Sequence, residues 1–177
     1  MGVTTQLAAF IVDTTGADIP PQAYAPAKEA MLDGLGCALV GSPTPIGKLM
    51  TRYVHERSET PRAVVIGSGF KTSAALAALA NGTMAHALDF DDVNWSMNGH
   101  PTVPLLPAVL ALGQELHASG SDVLLAYGLG FEVETKIGLG VNPRHYDLGW
   151  HATSTLGTLG AAAACAKLLR LDVEKTR

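Results

Sequence analysis

Proline and glycine cut this chain into lengths that suit helices and leave one short stretch that suits a strand. "TTQLAAFIVDT" is amphipathic and closes at Gly16, while "PPQAYAPAKEAMLDGLGCALVG" opens on prolines and ends at Gly41, the usual asymmetry of helix ends. "PIGKLMTRYVHER" reads as a third helix. "RAVVIGSG" is the exception, since Val64, Val65 and Ile66 are β-branched and lie between Pro61 and Gly67. "KTSAALAALANGTMAHALDFDD" then reads as an Ala/Leu helix capped by Thr72 or Ser73 and running to Asp92. "TVPLLPAVLALGQELHASG" and "SDVLLAYGLGFEVETKIGLG" follow, parted by Gly120, with Ser121 as the expected cap. A loop, "VNPRHYDLGW", leads to a helix from "HATSTLG" to "AKLLRL", and Asp172 begins one more helical turn. The expected class is all-α, a compact multi-helix bundle with at most a minor strand near residues 63–67.

Such a bundle has to accommodate 19 glycines. Each one inside a helix costs about 1 kcal/mol relative to alanine. Gly128 and Gly130, Gly138 and Gly140, and Gly157 and Gly160 either let helix backbones approach closely, within the bundle or at a subunit interface, or are simply tolerated.

Charge is scarce enough to be informative. Only 16% of residues are charged, and 12 basic against 16 acidic side chains give a net charge of −4 with no basic block. Nucleic acid and anionic membranes are therefore not expected partners. The longest uncharged apolar run, residues 152–166, is short for a membrane span and rich in Ala, Gly and Thr. The N-terminus lacks the basic region and cleavage pattern of a secretory signal. Cys37 and Cys165 lie far apart without CxxC spacing, which fits a reduced, cytoplasmic setting and leaves a disulfide open.

Against that background "AHALDFDDVNWSMNGHPTVP" gathers three aspartates and two histidines. If the helix reaches Asp92, then His86, Asp89 and Asp92 share a side and Asp91 points elsewhere. Carboxylates at a helix C-terminus oppose the dipole, by up to about 1 kcal/mol each when exposed. Three readings remain open: a bound cation, burial with proton sharing that suits a general acid or base, or a solvated turn.

His100 lies eleven positions after Asp89, held extended by Pro101 and followed by the stiffening Pro104 and Pro107. His151 stands where a Gly-rich aromatic loop becomes a helix, beside the hydroxyls of Thr153, Ser154 and Thr155. That corner suits a carboxylate ligand. Taken singly, either histidine also fits an ordinary capping or core role.

"NGTMAHALDFDD", "GHPTVPLLPAVLALG", "DVLLAYGLGFEVE" and "HYDLGWHATSTLGTLGAAAACAKLL", in that order, resemble the N-terminal helical region of the MmgE/PrpD family. That family includes 2-methylcitrate dehydratase, of propionate catabolism, cis-aconitate decarboxylase and iminodisuccinate epimerase. The resemblance implies a homodimeric lyase without metal or organic cofactor, acting on a small di- or tricarboxylate by proton transfer. It implies that residues 1–177 are an N-terminal helical domain, truncated before the rest of the helical domain and an α/β lid. It places Asp89, His100 and His151 in the substrate pocket as catalytic and substrate-binding residues, so that replacing either histidine should impair turnover more than folding. Val93 stands where the decarboxylase branch has a threonine, and the segment from Asp89 to His100 is one residue longer than in that branch; both departures weaken a decarboxylase assignment. The family's catalytic lysines and tyrosine come from segments beyond residue 177.

Rival readings are a Mg²⁺-dependent helical hydrolase or synthase using "HALDFDD", which would make stability depend on metal, and an inactive truncated domain that folds and dimerises. "IGSGFKTS" fails as a phosphate loop, since Phe70 stands where glycine must precede Lys71.

Overall fold

A computed structural model describes residues 2–58 and 60–177. Helix α1 spans Val3–Asp13, and two 3₁₀ turns, Gly16–Asp18 and Pro21–Ala23, lead to α2, Tyr24–Gly41. Helix α3, Pro45–Glu56, has proline in its first turn and is capped by Thr44, whose Oγ1 accepts from the Gly47 N–H at 3.1 Å. Strands β1, Ala63–Val64, and β2, Lys71–Thr72, form a small antiparallel hairpin turned by Gly67 and Gly69, both at positive φ. Helices α4, Ala74–Ala85, α5, Thr102–Leu116, and α6, Gly120–Val141, follow. A single turn, α7, Arg144–Asp147, lies in the loop before α8, Ala152–Leu168, and α9, Val173–Thr176, ends the chain with Asp172 as its cap. The all-α class holds.

Helix α5 is the axis of the bundle because it is apolar on two sides. One side joins Val54, Val65, Ala77, Ala80 and Met84 through Ala111; the other joins Val123, Ala126, Tyr127, Ala164 and Leu168 through Leu105 and Val109. Helices α6 and α8 meet closely: a Cβ on Gly130 would lie 2.8 Å from the Gly160 carbonyl oxygen, and one on Gly160 would lie 3.0 Å from Cβ of Glu134. Gly138 and Gly157 are equally crowded, whereas Gly128 and Gly140 face open space. Four of the six glycines singled out above therefore stand where a side chain has no room, Gly130 and Gly138 against backbone and Gly157 and Gly160 against the side chains of Pro104 and Glu134.

Two local expectations need correction, the reach of α4 and the cap of α6. Helix α4 ends at Ala85 rather than at Asp92, with His86 leaving helical geometry and Asp89 at φ 55°. The dipole argument supplies a reason, since a shorter helix keeps all three carboxylates off its negative end. Of the two caps expected for α4, Ser73 holds the N-cap position, while Lys71 and Thr72 pair with Val64 and Ala63. Helix α6 is capped by Ser119, whose Oγ accepts from the Asp122 N–H at 3.1 Å, rather than by Ser121.

Cys37 and Cys165 are free thiols, both pushed up by burial. Among the described residues no helix is long and apolar enough to cross a membrane.

Candidate functional site

The segment between α4 and α5 sends its three aspartates to three environments. Asp92 turns toward α5 and caps it: Oδ1 accepts from the Thr102 N–H at 3.1 Å and Oδ2 from the Thr102 hydroxyl at 2.6 Å. The Tyr127 hydroxyl lies 2.6 Å from the same Thr102 oxygen, extending the chain into the core. Burial pushes the Asp92 carboxyl up, against the two Thr102 hydrogen bonds that hold it down. Asp89 is open to solvent, its side chain 77% exposed, and Asp91 is the reverse at 0%. Leaving the helix permits this split, because the chain after Ala85 runs in irregular turns, with Asp89 at φ 55°, that send neighbouring side chains in different directions.

Asp89 and Asp91 enclose two imidazoles. His86 Nδ1 lies 2.9 Å from Asp91 Oδ1 in a hydrogen bond, and His86 Nε2 lies 3.8 Å from Asp89 Oδ1. His100 repeats the arrangement, with Nδ1 3.2 Å from Asp91 Oδ2 and Nε2 3.5 Å from Asp89 Oδ1. The ring centroids are 4.8 Å apart. The His100–Asp91 contact is within ion-pair distance but is not aligned as a hydrogen bond, so both atoms are buried without one.

A pinched loop delivers His100. Asn94 and Gly99 exchange backbone hydrogen bonds, the Asn94 side chain accepts from the N–H groups of Ser96 and Met97, and buried Met97 anchors the loop beneath. The His100 N–H donates to Thr153 Oγ1 at 3.0 Å. A Cβ on Gly99 would lie 2.9 Å from the Thr153 nitrogen, so this close approach needs glycine. The loop is thereby seated against the start of α8.

His151 occupies the N-cap position of α8, exposed and without a side-chain capping bond. With His86 it lines a groove of about 620 Å³ whose walls include Ile46, Ala87, Pro104, Thr153 and Ser154. Two of the three nearby hydroxyls are committed internally: Thr153 to His100, and Thr155 to His145 Nε2 at 2.7 Å. Of the residues named from sequence, Asp89 and His100 therefore meet, while His151 stands on the groove wall outside their cluster. Asp91 was expected to point away and is instead the centre of the cluster. His86 was considered chiefly as a neighbour of Asp89 and belongs equally to Asp91. The D-x-D spacing of Asp89 and Asp91 was the available signal, masked by the assumption of continued helix.

His86, Asp89, Asp91 and His100 can each offer one ligand atom, all within 4.8 Å of one another. Two imidazoles and two carboxylates suit a transition ion such as Zn²⁺ better than Mg²⁺, which favours an oxygen-rich octahedral shell. The donor chemistry thus counts against the Mg²⁺ reading.

A family model described as the MmgE/PrpD N-terminal domain matches residues 5–177. The cis-aconitate decarboxylase of Mus musculus is 34% identical over 156 residues, covering 85% of this chain and 32% of that protein. The cis-aconitate decarboxylase of Aspergillus terreus is 34% identical over 179 residues, covering 96% of this chain and 36% of that protein. The cis-aconitate decarboxylase-like protein oryM of Aspergillus oryzae is 30% identical over 182 residues, covering 98% and 38%. The chain spans about a third of the length of these curated relatives.

Proposed function

The chain belongs to the MmgE/PrpD family, and from that premise we propose that it supplies part of the site of a cofactor-independent lyase acting on a small di- or tricarboxylate by general acid/base proton transfer. The observation that supports this most is the pair of imidazoles held between an exposed and a buried carboxylate, within a segment that also lines a groove with His151. Lyase chemistry on such substrates moves a proton at a carbon beside a carboxylate. Imidazole titrates near neutral pH and can take or give that proton, and a neighbouring carboxylate fixes which ring nitrogen does so.

Two reactions fit. The relatives named above bring decarboxylation, in which a proton must be delivered to the carbon that loses CO₂. Val93 and the longer segment before His100 depart from the decarboxylase branch, and the second reaction is dehydration of a 2-methylcitrate-like hydroxy acid, in which one proton leaves carbon and another joins the departing hydroxyl. Both need the substrate's charge neutralised. Lys136 pairs with Glu132 at 3.3 Å on an exposed face, and imidazolium forms of His100 and His151 would share that task. In this reading the working protein is a cytoplasmic homodimer of family length.

The test is an NMR assay of cis-aconitate and 2-methylcitrate with a protein carrying residues 1–177 followed by the remainder of a family-length chain. Consumption of either substrate, undiminished by chelator, is the expected result. A folded protein that consumes neither, and whose His86, His100 and His151 resonances do not move with either, would overturn the proposal.

A further inference from the structure

We propose that Asp91 is a positioning residue that holds His86 and His100 in the same tautomer, and that His86 is a second proton-handling group of the site beside His100. This rests on the acid/base reading above and deepens it.

Asp91 is fully buried and acceptor-only when ionised, so its two oxygens require donors. Two candidates face them, one at each oxygen: His86 Nδ1 at 2.9 Å and His100 Nδ1 at 3.2 Å. The buried, unbonded atoms Asp91 Oδ2 and His100 Nδ1 are each other's complement, and a small ring rotation aligns them. Accepting from both rings puts a hydrogen on each Nδ1 and leaves a lone pair on each Nε2.

The opposite side of the cluster then holds three acceptors. His86 Nε2 and His100 Nε2 converge on the same Asp89 Oδ1, at 3.8 and 3.5 Å. Three lone pairs at that range repel unless a proton lies among them. Asp89 sits at φ 55°, a left-handed conformation that aspartate tolerates and that turns its carboxylate back toward both rings. The arrangement is therefore poised to hold one shared proton. A proton accepted from substrate at one Nε2 and returned to it from the other leaves the cluster's proton count unchanged, which is what dehydration requires. His86 also lines the groove, so its ring can reach a bound ligand.

Long-range ¹H–¹⁵N NMR of the 177-residue chain reads the tautomers directly, with exposed His117 as the internal reference. His86 and His100 are expected to be protonated at Nδ1, unlike His117. Asp91→Asn keeps the shape but replaces one acceptor with a donor, so at least one ring should switch to Nε2–H while the amide spectrum persists. If the variant does not fold, the wild-type tautomers decide alone. Nε2–H in both wild-type rings, or tautomers unmoved by Asp91→Asn, would overturn the proposal. In the family-length protein, Asp91→Asn should lower kcat by about 10²- to 10⁴-fold with little change in KM, as misorienting a catalytic imidazole does, and His86→Gln should lower kcat by about 10²-fold. Full activity in His86→Gln would remove His86 from proton transfer. Expected tautomers in a protein that turns over no carboxylate would overturn the lyase reading and leave the positioning role standing.

Discussion

Among the described residues two carboxylates have fully buried side chains, and their surroundings are opposite. Asp91, in the loop between α4 and α5, faces two imidazoles. Glu134, in α6, is pressed against Gly160 of α8, and neither of its carboxylate oxygens has a hydrogen-bond partner. Burial, aided by the charge of Asp92, pushes Glu134 up to about 9, so it sits in the core as a neutral acid at pH 7. The same burial thus produces two chemistries. Where a basic ring is within reach the carboxylate orients it, and where no hydrogen-bond partner meets it the carboxylate keeps its proton.

The largest expected effects fall on turnover. In a family-length protein, His100→Ala and His151→Ala should each lower kcat by about 10²-fold or more, the scale for losing a general acid or base. Wild-type rates in both would break the site assignment.

Stability then separates histidines that the sequence treated alike. His100→Ala strips a partner from buried Asp91 and should cost about 3 kcal/mol, as breaking a buried pair does. His151 is exposed with no side-chain capping bond, so His151→Ala should leave the urea midpoint unmoved. Equal midpoints for the two variants would show that Asp91 does not depend on His100.

Glu134 sharpens the contrast through pH. Its folded value is raised, so the folded state holds the proton more tightly than the unfolded chain. Its stabilising influence is complete below the ordinary value of 4.5 and is lost as pH rises toward about 9. By pH 7 the loss is about 3 kcal/mol. Glu134→Gln should flatten that decline in urea titrations across the window, and an unaltered slope would mean that the carboxyl finds solvent or a partner.

Gly160→Ala would set a methyl 3.0 Å from Cβ of Glu134. It should lower stability by about 1–3 kcal/mol, as overpacking does, with a melting curve as the measure. The smallest effect concerns metal. Chelation should leave the melting temperature where it is, and a large drop reversed specifically by Mg²⁺ would restore the metal-dependent reading.

The sequence determined the helical class, most helix ends and the neighbourhood of the site, because those depend on local signals: proline in the first turn of α3, Asp172 as a cap, apolar spacing, and four ordered blocks shared with a family. It singled out Asp89 and His100, whose side chains come within 3.5 Å of each other. It could not assign the three aspartates, since a helix continued to Asp92 would group them one way and the turn after Ala85 groups them another. Local propensity is nearly neutral there. The outcome is fixed by contacts remote in sequence: Thr102 holding Asp92 across ten positions, Thr153 holding the His100 backbone across fifty-three, and Asn142 holding the Met97 carbonyl across forty-five. Glu134 was invisible for the same reason. A glutamate in a helix is ordinary until the glycines of another helix close over it, and only the packed structure brings them together.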